Sequence, residues 1–336
     1  QAGCIAHTIS RSPLTAWRHP PYDRMMGTGN PSLGVVAVVV THNRRPLLEQ
    51  CLIALRSQSL PPSEILIVDN ASTDGTREWL QMWLPSNLPV AKVFRSLDNG
   101  GGAGGFAQGV QIALKGVQNW IWLMDDDAVP RANALEELMR WAVQPTNIYG
   151  SLALHGEETS WVTTLVGPPK QAVRLASEVP NSAAVQSLPF LGFLIHRALV
   201  QKIGLPDADY FIAADDVEYC VRARLAGAEI FLIGTSRIEH PKSRPTSHRV
   251  LGQTITYLSL PPWKRYYDTR NRLLIARRYY GSRLWTQALP GTLVRLLIAM
   301  VVEPNKLAQL HAFCAGILDG LLGLKGKRHS KWRISQ

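Results

Sequence analysis

Residues Gly34-Val-Val-Ala-Val-Val-Val40 form an unbroken run of small and β-branched apolar side chains. A strand with one wet face alternates polar and apolar residues, so a run without alternation has to be covered on both faces. It is followed by Leu47, Leu48, Cys51, Leu52 and Leu55, spaced as one face of a helix. The cycle recurs: Ile65 to Val68 with a helix near Gly75 to Leu84, Ala91 to Phe94 with a helix near Phe106 to Gly116, and Trp120 to Met124 with a helix near Asn133 to Ala142. Four strand–helix units in succession predict an α/β fold, with a mainly parallel central sheet flanked by helices. Ligands of such sheets bind outside the carboxyl ends of the strands, which is where chemistry is to be sought.

Beyond about residue 147 the pattern changes to short strand-like pieces, Pro168-Pro169 and a polar stretch to Ser187. Leu188 to Ile195 then reads as a strand, Asp215 to Ala226 as a helix, Glu229 to Ile233 as a strand and 241–250 as a loop; from Trp263 two or three helices follow. An irregular arm over 1–30, an α/β domain over 31–262 and a helical section over 263–336 are expected. With 46% hydrophobic and 18% charged residues, disorder of the whole chain is excluded. Cys4, Cys51, Cys220 and Cys314 share no CxxC spacing, which speaks against a disulfide scaffold or a cysteine zinc site and fits a reducing compartment. No uninterrupted apolar run approaches the roughly 18 residues of a membrane span, and QAGCIAHTIS has neither the basic nor the apolar part of a signal peptide.

Charge is unevenly placed. Residues 1–262 hold 22 basic and 22 acidic side chains, whereas 263–336 hold 14 basic and 3 acidic, so the whole net charge of +11 lies in the last section. Clustered Lys and Arg attract phosphates, and a nucleic-acid-binding module is one reading. The section carries no recognised nucleic-acid motif, however, and its arginines are interleaved with apolar runs such as Leu296 to Val302. Helices of that kind suit an anionic membrane surface better.

The strand ends converge polar groups on one sheet edge: Thr41-His42-Asn43-Arg44, Asp69 to Gly75, and Asp125-Asp126-Asp127. Asp69 is placed to accept from a ribose or base N–H, while Asp74 is accounted for by turn chemistry. Asn99 to Gly105 opens the third helix. Its glycines suit either close approach of a phosphate to the helix N-terminus or tight helix–strand packing. Three carboxylates after the apolar Trp120 to Met124 repel one another, and a cation is what stabilises them at a buried strand end. Extended geometry turns Asp125 and Asp127 to one side, suiting Mg²⁺ or Mn²⁺ beside a diphosphate. Asp215 and Asp216 exceed what a helix N-terminus needs, which makes a general base of one of them. Glu239-His240-Pro241 offers an imidazole at a strand end that can complete a metal site.

This ordered set, with V-V-V-T-H-N-R, I-V-D-N-A-S-T-D-G-T, D-D-D at 125–127, D-D-V-E-Y-C-V-R-A at 215–223 and R-N-R at 270–272, resembles the inverting nucleotide-sugar glycosyltransferases of family 2 over roughly residues 34–280. The N-x-G-G-x-G-G-F segment with D-D-D, D-D-x-E and a following His is most similar to bacterial galactofuranosyltransferases, with rhamnosyltransferases close behind. The resemblance implies a GT-A fold whose nucleotide-binding half is Rossmann-like, so that 31–262 would be the catalytic domain. It implies that Thr41, Asn43 and Asp69 hold the uridine with Arg44 near it, that Asn99 and Gly102 line the diphosphate, and that Asp125 and Asp126 contact the donor. Asp125, Asp127 and His240 would hold Mn²⁺ or Mg²⁺, and Asp216 would be the base. Asp215, Glu218, Phe193, Trp161 and His196 are the acceptor candidates. The implied reaction moves a sugar, galactofuranose from its UDP donor or rhamnose from its dTDP donor, to a polyprenyl-linked cell-wall or polysaccharide glycan. The enzyme would sit peripherally on the cytoplasmic face of a bacterial membrane.

Overall fold

A computed structural model describes residues 34–167, 171–241, 245–250 and 253–335; the expected arm over 1–30 lies outside them. The first half builds as its periodicity requires: β1 (Val35–Thr41), α1 (Arg45–Arg56), β2 (Glu64–Asp69), α2 (Thr76–Asn87), β3 (Ala91–Arg95), α3 (Gly101–Ala113) and β4 (Trp120–Asp125). β1 pairs in parallel with β2 and β4, and β2 with β3. Every residue of β1 is buried. Val36, Val38 and Val40 enter the core under α3 with Phe106 and Val110, while Val35, Ala37 and Val39 enter the opposite core with Leu48, Leu52 and Leu55 of α1. Each buried Val or Leu contributes about 1.5–3 kcal/mol, and the one polar residue of β1, Thr41, is its last.

The second half is not parallel throughout. β5 (Val129–Pro130), α4 (Ala134–Trp141), β6 (Ile148–His155), β7 (Glu158–Leu165), β8 (Gln171–Leu175) and β9 (Ala183–Ala184) lead to β10 (Leu191–His196), which inserts antiparallel between β4 and β6. α5 (Arg197–Ile203), α6 (Asp215–Leu225) and β11 (Ile230–Glu239) follow, and the sheet runs in the order β3-β2-β1-β4-β10-β6-β11-β5. β11 continues well past the expected Ile233, through a register shift between Ile233 and Arg237, and so delivers His240 to the carboxyl end of the sheet. The expected loop over 241–250 is in part a strand: β12 (Pro245–Val250) pairs antiparallel with β13 (Gln253–Leu258).

Three helices close the chain, α7 (Pro262–Tyr279), α8 (Leu289–Val302) and α9 (Lys306–Leu322). They are packed into the same compact unit as the sheet. Helical structure from Leu284 runs into α8, and the 19 residues Leu284–Val302 are long and apolar enough to cross a membrane, with 17% of the segment buried. Arg295 interrupts this stretch in sequence, which is why no uninterrupted run announced it.

Candidate active site

A cleft of about 480 Å³ opens at the carboxyl ends of β1 and β4, bounded by the start of α3, the turn before α6, His240 and the start of α7. On its floor Asp126 is buried, and Asp125 and Asp127 are half-buried on either side of it, as the two-residue period requires. Thr41 Oγ1 donates to Asp126 Oδ2 at 2.8 Å. Arg44 Nη1 bridges Asp126 Oδ1 at 3.3 Å and Asp127 Oδ2 at 3.0 Å. His240 Nε2 lies 3.5 Å from Asp127 Oδ1. The consequences differ by residue. Burial, then repulsion from Asp127, Asp126 and Asp215, pushes Asp125 well above the ordinary carboxylate range. Burial also raises Asp126, against Thr41 and Arg44. At Asp127 burial pushes up too, but His240 and Arg44 outweigh it and hold this carboxyl below its ordinary value.

The glycine run divides between packing and the cleft wall. Gly101 adopts φ +72°, and a Cβ there would stand 2.0 Å from the Phe211 carbonyl; a Cβ on Gly105 would meet Val40 at 2.4 Å. These two are packing glycines, one at a turn and one on β1. Gly102, by contrast, has open space where a Cβ would go and lines the cleft. Asn99 Oδ1 accepts from Gly101 N at 2.8 Å and caps the start of α3 beside it.

Across the cleft, Phe211, Ala213 and Ala214 all have positive φ, at 65°, 70° and 61°. Non-glycine residues in this region cost about 1–3 kcal/mol each and persist where their surroundings over-determine them. Those surroundings come from α7. Asn271 Nδ2 donates to the carbonyls of Tyr210, Ile212 and Ala213 at 3.0, 2.9 and 2.7 Å. Arg270, fully buried, donates to Asp209 and Tyr210 carbonyls and to Gly326. The turn ends on Asp215 and Asp216, both lining the cleft. Burial, then the neighbouring Asp216, raises the Asp215 carboxyl; burial raises Asp216, against the Val217 amide at 2.7 Å and the Arg272 charge.

Several expected site residues lie elsewhere. Asn43 does not line the cleft; its amide donates to Ser72 Oγ at 3.0 Å and its side chain accepts from Thr73 N at 2.7 Å, linking two loops. Asp69 is buried, with Oδ1 accepting from Ser72 N at 2.8 Å and Oδ2 lacking a partner among the described residues; it borders a neighbouring hollow with Arg77, Arg95 and Ser96. Phe193 is core, 5.1 Å from Phe190 by ring centroids. His196 pairs with Trp120, at the opposite end of β4 from Asp125. Glu218 is fully buried between Arg222 at 2.7 Å and the Tyr279 hydroxyl at 2.5 Å. Trp161 meets the His240 ring edge-on at 5.8 Å and lines an adjoining hollow. Asp125, Asp127 and His240 share the cleft, yet among the described residues no three His, Cys, Asp or Glu side chains converge as a metal cage. Sequence reading missed Asn70, whose Nδ2 donates to Gly101 O at 2.9 Å, and Lys264 at the start of α7. Asn70 follows Asp69 at a strand end and was findable there; Lys264 gave no signal.

Residues 36–184 match Glycosyl transferase family 2. The chain is 33% identical over 258 residues to galactofuranosyltransferase GlfT1 of Mycolicibacterium smegmatis, covering 71% of this chain and 81% of that protein. It is 32% identical over 255 residues to galactofuranosyltransferase GlfT1 of Mycobacterium tuberculosis, covering 71% and 80%. Among solved structures it resembles the mannosyltransferase PcManGT of Pyrobaculum calidifontis with GDP-Man and Mn²⁺ (TM-score 0.54, 16% identity, 89% of this chain and 92% of that one). It also resembles S. aureus TarS 1-349 with UDP-GlcNAc (TM-score 0.57, 14% identity, 87% and 82%). GalNAc-T7 with UDP, GalNAc and Mn²⁺ is similar too (TM-score 0.56, 17% identity, 79% of this chain), although the chain spans 54% of its length. With the cleft, the sheet order and these likenesses in agreement, the chain is a glycosyltransferase and belongs to glycosyl transferase family 2.

Proposed function

We propose that the protein transfers galactofuranose from UDP-galactofuranose to a hydroxyl of a lipid-linked cell-wall or polysaccharide glycan, with inversion at the anomeric carbon. One observation carries the reading: a single cleft holds an acidic edge bridged by Arg44 and faced by His240 and, across from it, a carboxylate of raised proton affinity. Likeness to galactofuranosyltransferases supports the sugar. The unpartnered, buried Asp69 Oδ2 supports a base carrying an imide N–H, as uracil does.

Asp127 and His240, with Asp125 beside them, fit Mn²⁺ or Mg²⁺: Asp127 Oδ1 and His240 Nδ1 are both buried without a hydrogen-bond partner among the described residues, and oxygen with imidazole suits such ions. When bound, the ion supplies positive charge to the departing diphosphate. Arg44, Lys264 and the N-terminal end of α3 at Gly102 stand at the same end and stabilise the same developing charge. Asp216 takes the proton of the acceptor hydroxyl. Its oxygen bonds to the anomeric carbon as the bond from that carbon to the diphosphate oxygen breaks, in one displacement that inverts the anomer.

The exposed Leu297, Val301 and Leu307 on the outer faces of α8 and α9 support the reading of a peripheral location on the cytoplasmic face of a membrane. Leu297→Asp with Val301→Asp is expected to release the protein from anionic vesicles in flotation, and unaltered flotation would refute that location. The donor is tested by a transfer assay with UDP-galactofuranose and dTDP-rhamnose, the linkage read by NMR. A second reading, rhamnose transfer, is favoured by 24% identity over 136 residues to the dTDP-rhamnosyl transferase RfbF of Shigella flexneri. Turnover with dTDP-rhamnose alone would establish it in place of the first.

A further inference from the structure

The turn that carries Asp215 and Asp216 is also held by the chain beyond α9. Gly323, at φ +76°, ends α9, and the residues after it run along the segment 207–211 that leads into the turn. Lys325 Nζ lies 2.5 Å from Asp207 Oδ2 and 5.4 Å from the centroid of the Tyr210 ring. Gly326 N donates to the Asp209 carbonyl at 2.7 Å. The Gly326 carbonyl accepts from Arg270 Nη1 at 2.6 Å, and Arg270 Nη2 serves the Asp209 and Tyr210 carbonyls at 3.2 and 3.0 Å. Lys327 Nζ stands 5.5 Å over the Phe211 ring. Lys325, Gly326 and Lys327 in succession thus meet Asp207, Asp209, Tyr210 and Phe211. Beyond them the segment is fastened: Arg328 Nε and Trp332 Nε1 donate to Asp319 Oδ2 of α9 at 2.8 and 3.0 Å, and the Tyr267 hydroxyl of α7 meets His329 Nδ1 at 2.8 Å.

Gly326 has φ +86° and open space where a Cβ would go, so glycine stands there for its backbone and not for room. Phe211 is the contact nearest the chemistry: it lines the cleft, its carbonyl accepts from Ala103 N of α3 at 3.1 Å, and Asp215 follows four residues later. The Lys325–Asp207 pair is partly exposed, and Arg278 Nη1 lies 4.0 Å from the same carboxylate, so losing Lys325 costs the fold little. A catalytic group misplaced by about 1 Å loses up to roughly hundredfold in rate, so a tie of small stabilising worth has a large effect where it sets the turn.

We propose that Lys325, with Gly326 and Lys327 beside it, is a positioning residue for the transfer reaction: the segment after α9 straps the 207–214 turn in the one conformation that presents Asp216 to the cleft. The proposal rests on the transferase reading with Asp216 as base, and adds residues that act through the turn without touching the substrate.

The test uses the full chain carrying Lys325→Met, Lys325→Arg or Gly326→Ala. In hydrogen–deuterium exchange with UDP and Mn²⁺ present, Lys325→Met is expected to speed exchange in peptides spanning 207–216 about tenfold and to leave those of β1 and β4 unchanged. The kcat for transfer from UDP-galactofuranose is expected to fall about tenfold or more, with the donor KM and Tm nearly unchanged. Lys325→Arg keeps the charge and the ring contact and should recover most of the rate. Gly326→Ala, which strains a left-handed backbone, should move exchange and kcat in the same direction as Lys325→Met. Unaltered exchange over 207–216 overturns the proposal, as does faster exchange with unaltered kcat. A loss of kcat that tracks a loss of Tm and is not recovered by arginine marks a merely structural lysine and overturns it too. Failure of the base reading is told apart by Asp216→Asn: if that variant retains turnover, the strap positions no base, whatever the exchange over 207–216.

Discussion

Asp126 and Asp127 share the Arg44 guanidinium, and Asp127 faces His240, whereas Asp215 and Asp216 stand side by side on a strained turn with no cation at ion-pair distance among the described residues. Two acidic groups line one cleft, and their surroundings push them apart. In the first, Arg44 and His240 hold Asp127 low while burial and mutual repulsion keep Asp125 and Asp126 raised, a concentration of acid that suits a cation. In the second, burial raises both carboxyls with no such partner beside them, and a raised proton affinity is what a general base requires. Identical side chains acquire different chemistry because β4 delivers one group beside a loop arginine while α7 pins the other in place.

The comparison breaks most visibly at Asp216. Asp216→Asn should lower kcat by about 10²–10⁴-fold, the usual contribution of a positioned base, while calorimetry with UDP shows nearly unchanged affinity. Retained turnover would remove Asp216 from the base role. Next in size is the support beneath it. Asn271→Ala takes the side-chain donor from the Ile212 and Ala213 carbonyls, while Arg270 still donates to Tyr210, and should cost about 2–3 kcal/mol in denaturant melts, with kcat falling alongside. A variant as stable and as active as the wild type would show that the turn holds itself.

Smaller and opposite in kind is the expected effect at the other end. Asp127→Ala or His240→Ala should weaken donor binding by about ten- to a hundredfold in the presence of Mn²⁺, and much less in its absence. Equal loss with and without the ion would count against a metal role. In pH profiles of kcat, the acidic limb should lie above the ordinary carboxylate range, because Asp216 must be ionised to accept a proton and burial raises it. Activity then falls as pH drops through that raised value; a limb near 4, the ordinary range, would contradict it. Smallest is a stability effect at Asp215, whose folded value is raised. Its contribution is complete below the ordinary carboxylate value and is lost as pH rises through the folded one. Asp215→Asn should therefore lose less Tm than the wild type between mildly acidic and alkaline pH, by scanning calorimetry.

The legible parts of the site were those set by local pattern. The covered strand at Val35–Thr41 and the acidic edge after Trp120–Met124 both follow from apolar runs, and the common side taken by Asp125 and Asp127 follows from a two-residue period. Phe193 and His196 lie elsewhere for different reasons. Phe193 packs in the core against Phe190 and Tyr219, while β10 runs antiparallel, a direction its sequence does not carry, and so puts His196 at the far end of the sheet. Glu218 had the spacing of a surface pair with Arg222, and only the arrival of Tyr279 from α7 makes it a buried tie. The basic surplus of the last section was likewise read as surface. Arg265 and Arg270 are instead buried and donate to backbone carbonyls, so part of that charge serves the fold.

By itself, the sequence determined the layered sheet, its carboxyl edge and the residue types gathered there, because burial and periodicity act over a few residues. Tertiary structure decided which acids stand on the turn facing the acidic edge. The positive φ of Phe211, Ala213 and Ala214 is announced by no glycine, and it is imposed by Asn271, some sixty residues later, through hydrogen bonds that exist once α7 has packed against the start of α3.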